Sequence, residues 1–404
     1  MNKIFCFVLC SLLILVGTAG SVVSFEPGSI TIIYVDDDNT EGPWDGTQHH
    51  PFRLIQDAID RAEPGYTILV SEGLYSESIV LDKQVSLIGS SFVSTIIDGM
   101  QNNSTVHIKS DYCRLKGFQI MNCSFNPLEF QQSLLMIDAN DTCVEENCFS
   151  MRATDDFFSI AAVQINQGDH NSLVSNIFVS EQNNSRNHAI YLNGECEQTV
   201  IQLNTISGFD VGYIDSIDCL DTRILENNLA ENLFGIDLYG SQTIIQDNNI
   251  SDNRADGIIV YKGTGHYIVN NTFQNNGCNE GYGAAPAIKL SDGSGQTCIE
   301  NNDFIHNAGP GIYVYMSYDN RITQNNFIDN GWNYQTDYKP NAFFYTHIMR
   351  IGKTNQWNKN YWYPSESSSL EKIPAVLRFF TYFDYVCSIS WATFDFFPVD
   401  TPYP

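Results

Sequence analysis

Aromatic and charged residues recur at one point of a short repeated segment. Each copy places a small residue before alternating apolar and variable positions, which predicts a short strand with one buried face. The copies are "AIYL" from Ala189, "GIDL" from Gly235, "GIIV" from Gly257, "AIKL" from Ala287 and "GIYV" from Gly311. Their predicted outward positions hold Tyr191 and Asn193, Asp237 and Tyr239, Ile259 and Tyr261, Lys289 and Ser291, and Tyr313 and Tyr315.

These outward side chains are of the types that bind sugars. Aromatic faces stack on the C–H faces of sugar rings, while Asp, Asn and Lys hydrogen-bond to hydroxyl groups. Outward tyrosine is also common on half-exposed strands, and this purely structural interpretation stays open. We predict a carbohydrate-binding strip of Tyr191, Asp237, Tyr239, Tyr261, Lys289, Tyr313 and Tyr315, with Trp332 beside it.

Acid–base chemistry requires two groups that reach the same bond. Asp237 and Lys289 are the candidate pair on the strip, but at least one repeat, near Ile258, lies between them. The catalytic residues are therefore unassigned beyond these two candidates, and whether the protein is an enzyme stays open. If it is one, the residues suit a polysaccharide lyase, an epimerase or a glycoside hydrolase.

Longer insertions enter the repeat at one point, just before the strand that carries the strip. We expect them to emerge along one edge, where solenoid proteins tend to bind ligands. They are rich in aromatic and acidic residues, namely Asp155, Asp156, Phe157, Phe158, Glu280, Tyr282, Trp332, Tyr334, Asp337 and Tyr338.

A second repeated phrase precedes the first and contains asparagine. Examples are "IIQDNNISDN" from Ile244, "YIVNNTFQNN" from Tyr267, "CIENNDFIHN" from Cys298 and "ITQNNFIDN" from Ile322. The shared template is an aliphatic residue, two variable residues, Asn, one variable residue and a large apolar residue. The template Asn are Asn147, Asn176, Asn204, Asn227, Asn248, Asn271, Asn302 and Asn325, and "WNKNYW" adds Asn360.

The irregular spacing of these asparagines, with a shortest interval of about 22 residues, is typical of a solenoid. Two or three short strands in such a coil predict an all-β, right-handed, single-stranded parallel β-helix. Stacked Asn amides can hydrogen-bond to the Asn of the next coil, and Asn also tolerates the left-handed conformation that sharp turns need. We therefore predict a structural asparagine ladder with Phe and Ile of the same phrases in the core.

Four regions follow from this pattern. Residues 1–24, with an apolar run from Ile4 to Val16 and small residues after it, are predicted to be a signal peptide, and an uncleaved anchor is the alternative. Residues 25–66 would form an N-terminal segment with an amphipathic cap helix in "PFRLIQDAIDRAEPG". Residues 67–362 would form the β-helix, and the aromatic residues 363–404 a C-terminal cap.

The net charge and the cysteine content limit the binding partners and the disulfides that this chain can have. The formal net charge is -27, which disfavours nucleic acid and anionic membranes and would repel a polyanionic substrate. Two of the 11 Cys fall in the predicted signal peptide, and the remaining nine cannot all pair within one chain.

We expect no cofactor and no metal. "VDDDN" (Asp36 to Asn39) could bind calcium through its oxygens, but a solvated turn is the favoured interpretation.

One long segment resembles a known family. "YVDDDNTEGPWDGTQHHPFRLIQDAIDRAEPGYTILVSEGLYSESIVLDKQVSLIGS" and the ending "WNKNYWYP…ISWATFDFFPVDTPY" resemble secreted archaeal and bacterial parallel β-helix repeat proteins. The resemblance implies a pectate-lyase-like fold and a relation to NosD-like and carbohydrate-binding and sugar-hydrolysis proteins. It does not supply a site, since the chain has no "DPH" motif and its 8 His are scattered.

Two functional classes remain. The first is an exported protein that binds, or also processes, extracellular polysaccharide along a loop-edged groove. The second is a surface adhesion or scaffold protein without enzymatic activity, or a NosD-like periplasmic protein that handles metal. The expected location is secreted or cell-surface, and the oligomeric state is undetermined.

Export makes a direct prediction. Because small residues follow the apolar run, the chain should be cleaved near Gly20 to Ser24. Mass spectrometry of the native protein should give a terminus in that range. An intact Met1 on protein from a cytoplasmic fraction would contradict export.

Overall fold

The structure is a computed structural model of the 404-residue chain. It describes residues 31–100, 104–123, 133–151, 160–181, 187–277, 284–331, 342–347, 355–363, 371–380, 386–395 and 401–403. The predicted signal peptide lies outside these residues. No helix within the described ranges is long and apolar enough to span a membrane.

The regular elements of the described chain are almost all strands, arranged in three sheets. Strands are numbered in chain order. Sheet I contains β1 (Ile32–Val35), β2 (Tyr66–Val70), β5 (Val85–Gly89), β8 (Arg114–Lys116), β11 (Cys143–Glu145), β14 (Ser172–Val174), β17 (Val200–Gln202), β20 (Arg223–Leu225), β23 (Ile244–Gln246), β26 (Tyr267–Val269), β29 (Cys298–Glu300), β32 (Arg321–Thr323) and β35 (Gln356–Asn358).

Sheet II follows sheet I in each turn of the chain. It contains β3 (Gly73–Tyr75), β6 (Thr95–Asp98), β9 (Gln119–Met121), β12 (Cys148–Met151), β15 (Ile177–Ser180), β18 (Thr205–Ser207), β21 (Asn228–Ala230), β24 (Asn249–Ser251), β27 (Thr272–Gln274), β30 (Asp303–Ile305), β33 (Asn326–Ile328) and β36 (Tyr361–Tyr363).

Sheet III completes the turn. It contains β4 (Ile79–Leu81), β7 (Val106–Ile108), β10 (Ser133–Ile137), β13 (Ala161–Asn166), β16 (His188–Asn193), β19 (Val211–Asp215), β22 (Phe234–Leu238), β25 (Ile258–Tyr261), β28 (Ile288–Ser291), β31 (Ile312–Tyr315), β34 (Ala342–His347), β37 (Glu371–Phe380) and β38 (Val386–Asp395).

Apart from the antiparallel pair β37 and β38, the strands inside each sheet pair in parallel with the equivalent strands one turn earlier and one turn later. Thus Ile245 of sheet I pairs with Ile224 on one side and Ile268 on the other. In sheet II the same stacking places the rings of Phe273 and Phe304 at 5.0 Å and those of Phe304 and Phe327 at 4.8 Å. The predicted all-β parallel β-helix is confirmed. The same residue types recur in its core because equivalent positions of successive turns lie on top of one another.

The asparagine ladder is also confirmed. Each ladder Asn is buried, and its Oδ1 accepts hydrogen bonds from the backbone N–H and the Nδ2 of the preceding ladder Asn. In the middle of the ladder, Asn227 N donates to Asn248 Oδ1 at 2.8 Å, and Asn248 N donates to Asn271 Oδ1 at 2.9 Å. The ladder runs from Asn147 to Asn360. It begins where Phe118 holds the equivalent position and donates its N–H to Asn147 Oδ1.

A second asparagine ladder runs parallel to the first and was not predicted. It lies at the turn after sheet II, where every member is buried, and begins where Phe209 N donates to Asn232 Oδ1 at 3.1 Å. The signal was present in the sequence, because the last Asn of each asparagine phrase belongs to it. The members are Asn232, Asn253, Asn276, Asn307 and Asn330.

The left-handed backbone conformation is not held by the ladder asparagines, so that part of the sequence interpretation is wrong. The residue before each one holds it instead, for example Asp247 (φ 56°) before Asn248 and Asn270 (φ 55°) before Asn271. The left-handed residue makes the corner, and the next residue then points inward. Asp141, before buried Thr142, does the same at the corner that leads into sheet I.

The sheets extend past the predicted limits of the β-helix. Strand β1 already pairs with β2, and the antiparallel pair β37 and β38 continues sheet III through β34. The predicted helix is present as α1 (Ile55–Arg61), with Ile55, Ala58 and Ile59 in the core. That α1 and the C-terminal strands act as caps stays a prediction.

The cysteines that the structure describes are free thiols. Four of them are buried, as expected for small apolar residues, and three are half-buried. They are Cys113, Cys196, Cys219, Cys298 and then Cys123, Cys143, Cys148.

Substitution in the ladder should be far more damaging than substitution beside it. Asn248→Leu removes the acceptor for Asn227 and the donor to Ile224 O, leaving buried polar groups unpaired at about 1–3 kcal/mol each. The side chain of the neighbouring exposed Asn249 hydrogen-bonds only to the Asn228 and Ser251 side chains, so Asn249→Leu should lower the free energy of unfolding by much less. Urea unfolding of both variants measures the difference, and equal losses would contradict a stabilising role for the ladder.

Candidate functional site

The predicted strip lies on the outward face of sheet III. One row across the strands runs from Tyr191 through Ile214 to Asp237 and continues from Asp237 through Ile259 and Lys289 to Tyr313. One strand does separate Asp237 from Lys289, which places their Cα atoms roughly 10 Å apart at the usual strand spacing. The placement is therefore as expected, while the binding role of these residues stays a prediction.

A second row contains the most nearly parallel pair of aromatic rings among the described residues of this face. The rings of Tyr239 and Tyr261 stack with centroids 4.8 Å apart and an interplanar angle of 16°. Both side chains are half-buried, so each ring keeps part of its surface open. Further along the helix, the rings of Tyr313 and Tyr315 meet in a tilted pair at 6.2 Å.

The face is less uniformly exposed than its sequence pattern indicates. Ile259 occupies an outward position but is only 3% exposed, and Ser291 is only 1% exposed. Ser291 Oγ donates a hydrogen bond to Val260 O. The row between Asp237 and Lys289 is therefore closed over at Ile259 rather than open to solvent.

A polar network extends the strip toward the N-terminus and was not predicted. His107 Nε2 and Asp138 Oδ2 lie 2.6 Å apart, and Asn166 Nδ2 donates to Asp138 Oδ1 at 2.8 Å. Asn193 Nδ2 then donates to Asn166 Oδ1, and Tyr191 OH donates to Asn193 Oδ1. These contacts link four consecutive turns. They escape sequence analysis because the residue types change from turn to turn.

Two carboxyl groups sit beside the tyrosine stack. Asp237 lies within β22, and Asp256 lies at the entrance to β25 on the next turn, where its carbonyl accepts the N–H of Gly235. Asp256 is 7% exposed, whereas Asp237 is half-buried. The Oδ1 atom of each is shielded from solvent and has no hydrogen-bond partner among the described residues.

Burial raises the pKa of both groups. Desolvation, followed by repulsion from Asp256 and Asp215, raises the pKa of Asp237 to about 7, against a smaller lowering by Lys289. Desolvation raises the pKa of Asp256 to about 6, and the charge of Lys289 opposes this shift. Lys289 thus acts on both carboxyls, although it was expected to pair with Asp237 alone. Asp256 was missed because it lies in a turn, outside the strand pattern.

A third carboxyl points into the core. Asp215 is 2% exposed and occupies the inward position that pairs with Leu192 of the preceding turn. Its Oδ1 accepts the N–H groups of Tyr239 and Gly240 at 2.6 and 3.1 Å. Desolvation nevertheless raises the pKa of Asp215 to about 7.

The turn that carries Asp215 was overlooked because polar residues stand at its inward positions. Buried Tyr213 places its OH 3.4 Å from Asp215 Oδ2. The signal that could have identified the turn is Gly212, the small residue that begins "GYID" as Gly235 begins "GIDL".

The other positions predicted from the sequence add no further residues to this site within the part of the chain that the structure describes. In the proposed calcium loop, Asp37 Oδ2 accepts the N–H of Leu74, Asp36 Oδ1 accepts that of Asp38, and Asn39 donates to Pro51 O. These contacts fit a structural turn. The described part of the chain contains no group of three His, Cys, Asp or Glu arranged to hold a metal. Trp332 and the insertion residues Asp155, Asp156, Phe157, Phe158, Glu280, Tyr282, Tyr334, Asp337 and Tyr338 lie outside the described residues.

The protonation of Asp215 should be visible in the pH dependence of stability. Its folded-state pKa lies above the ordinary value of 3.8, so its contribution to stability is complete below about pH 4 and is lost as the pH rises through 7. Asp215→Asn keeps an oxygen acceptor for Tyr239 and Gly240 but has no proton to lose. From pH 4 to 7 the parent should therefore lose up to about 1.4 kcal/mol more per pH unit than the variant.

Unfolding free energies measured at pH 5, 6, 7 and 8 check this expectation. Asp218→Asn, at an exposed position of the loop after β19, is the control, and its profile of unfolding free energy against pH should run parallel to that of the parent. Parallel profiles for Asp215→Asn and the parent would show that Asp215 is ionised throughout in the folded protein.

Comparison with known proteins agrees with the fold. Residues 213–345 match the family model described as a right handed beta helix region. The catalytic domain of a GH87 alpha-1,3-glucanase in complex with tetrasaccharides is 12% identical, with a TM-score of 0.50 over 84% of this chain and 71% of that chain. A search of curated proteins found no match to the sequence.

Two other solved structures are similar at lower TM-scores. The mannuronan C-5 epimerase A-module of Azotobacter vinelandii is 14% identical, with a TM-score of 0.47 over 74% of this chain and 93% of that chain. The Dettilon tailspike protein is 13% identical, with a TM-score of 0.49 over 86% and 73%. Likeness at these identities concerns the fold alone, a right-handed parallel β-helix.

Proposed function

We propose that this right-handed parallel β-helix is exported and binds a neutral extracellular polysaccharide along the outward face of sheet III. The observation that carries the proposal is the Tyr239–Tyr261 stack, which lies beside the row that contains Asp237 and Lys289. Aromatic rings that keep a surface open to solvent are the usual platforms for sugar rings.

The repeat of the face suits a polymer. Successive strands of a sheet lie about 4.8 Å apart, so an extended ligand along the helix meets new side chains at every turn. A sugar unit in a chain has a similar length, and neighbouring rings can therefore contact neighbouring turns. The result would be many weak contacts that add along the chain rather than one deep pocket.

Charge favours a neutral ligand over an acidic one. The formal net charge is -27, and the carboxyl groups of Asp237 and Asp256 lie beside the stack. Only Lys289 offers a positive charge within the predicted strip. Hydroxyl groups can bond with the Asn166 and Asn193 amides and the tyrosine hydroxyls, whereas a uronate chain would be repelled.

The comparisons are compatible with this proposal without carrying it. The glucanase at a TM-score of 0.50 was solved with tetrasaccharides, so a helix of this kind can hold an oligosaccharide. The location outside the cytoplasm rests on the apolar N-terminal run and is part of the proposal.

Removal of the tyrosine stack should weaken binding without unfolding the protein. At about 1 kcal/mol per aromatic contact, Tyr239→Ala with Tyr261→Ala should reduce affinity roughly thirtyfold. Affinity gel electrophoresis with α-1,3-glucan, β-1,3-glucan, β-1,4-mannan and xylan in the gel measures how far each polymer retards the protein. Oligomers of a polymer that retards the protein should bind more tightly as they lengthen.

Tyr267→Ala provides a matched control, since Tyr267 is 55% exposed on sheet I, away from the strip. It should leave retardation unchanged. If the folded double variant is retarded as strongly as the parent, the strip is ordinary exposed sheet. If none of the four polymers retards the parent, a scaffold or adhesion role gains weight instead.

A further inference from the structure

Two of the shielded atoms without a hydrogen-bond partner among the described residues are carboxyl oxygens, whereas most of the other such atoms are Ser and Thr hydroxyls. Each asparagine along the two ladders has its Oδ1 occupied by donors from the neighbouring turn. By contrast, Asp237 Oδ1 and Asp256 Oδ1 are shielded from water and receive no hydrogen bond from the described residues. A buried polar atom without a partner is unfavourable, and such atoms are concentrated where a ligand or a reaction uses them.

The two carboxyls lie on consecutive turns and beside the proposed sugar platform. The Gly235 N–H donates to Asp256 O at 3.1 Å, which fixes the turn of Asp256 against the start of β22, two residues before Asp237. Burial raises the pKa of Tyr261 and of Tyr239, and the charge of Asp237 adds to both shifts, while that of Asp256 adds to the shift of Tyr261. A sugar ring stacked on this tyrosine pair would therefore present its glycosidic oxygen near the acids.

We infer that Asp237 and Asp256 are the general acid and general base of a glycoside hydrolase site, which cleaves a neutral polysaccharide held on the tyrosine stack. This inference rests on the proposed binding function and deepens it. The assignment of roles follows from the surroundings of the two groups. Asp256, close to the Lys289 charge, is the carboxylate, and Asp237, more open to the face, is the acid that meets the leaving oxygen.

The protonation states fit these roles. The groups that act on the pair are Asp215 from β19, Lys289 from β28 and the hydroxyls of Tyr239 and Tyr261, with Arg254 two residues before Asp256 on the same turn. The pKa of Asp256 is about 6 and that of Asp237 about 7, so Asp256 ionises first and its charge opposes ionisation of Asp237. Between these values the site holds one proton, as an acid and base pair requires.

The reaction is balanced with water as the only co-reactant. The Asp237 carboxyl donates its proton to the glycosidic oxygen as the C1–O bond breaks. A water molecule attacks C1 and forms the new C1–O bond, while it gives one proton to the Asp256 carboxylate. The products are a new reducing end and a shortened chain carrying a hydroxyl. Transfer of one proton from Asp256 to Asp237 through solvent restores the site.

Lys289 is a positioning residue in this scheme, because it acts through Asp256. Its charge opposes the rise in the pKa of Asp256 and keeps that carboxylate ionised in the working pH range. Lys289→Met should therefore move the acidic limb of the activity profile to higher pH, and the basic limb in the same direction by less, because Lys289 is the smallest of the influences on Asp237. A purely structural role for Lys289 would lower activity evenly at all pH values.

The test is reducing-end release from α-1,3-glucan, β-1,3-glucan, β-1,4-mannan and xylan by the full chain. The parent should release reducing ends from a polymer that retards it, with limbs of the pH profile near 6 and 7. Asp237→Asn and Asp256→Asn should each lose about a hundredfold or more in rate while remaining folded and retarded by the same polymer. Asp247→Asn, at an exposed corner between sheets I and II, is the matched control and should retain the parent rate.

The outcomes separate this inference from the proposed function. Retardation of the parent without reducing-end release overturns hydrolysis and leaves binding intact. Release that persists at the parent rate in the folded Asp237→Asn or Asp256→Asn variant overturns the assignment of the pair. Neither retardation nor release from any of the four polymers overturns both proposals.

Discussion

Every feature of this molecule depends on the alignment of one turn with the next, and buried amide groups enforce that alignment. An asparagine side chain at the corner after sheet I accepts at its Oδ1 from the preceding turn and donates from its Nδ2 to the asparagine of the next turn, so both bonds require the asparagines to lie at the same height. A shift by one residue would bury unpaired amides along the whole ladder. The second ladder applies the same condition at the corner after sheet II, so the register is set twice in each turn that carries both.

The outer surface inherits this alignment. Because the inward residues are held in register, the outward residues form straight rows as well, and the stack of Tyr239 on Tyr261 repeats on the outside what Phe304 on Phe327 does inside. The corners contribute by placing one left-handed residue before each inward Asn, which bends the chain from one sheet into the next at a single position. The outer face can therefore vary in residue type without disturbing the core.

The acidic residues near β19 and β22 show the opposite balance. The two ladders satisfy the Oδ1 atoms of their asparagines, whereas here desolvation raises the pKa values of Asp215, Asp237 and Asp256 well above that of an exposed carboxyl. Asp215 is partly compensated by two backbone N–H groups, but Asp237 and Asp256 each retain a shielded oxygen without a partner. These two carboxyl oxygens lie on consecutive turns of the helix, beside the tyrosine stack.

Periodic features were determined by the sequence alone. The recurrence of Asn, Phe and Ile at fixed offsets predicted the parallel β-helix, the first ladder and the row shared by Asp237 and Lys289, because stacking makes equal positions in the repeat neighbours in space. Features that break the period were decided only by the tertiary structure. Asp256 lies in a turn, Asp215 replaces an inward Leu, and Ile259 is buried on an outward face. Their burial and pKa values depend on which side chains of other turns surround them, and no local pattern encodes those distances.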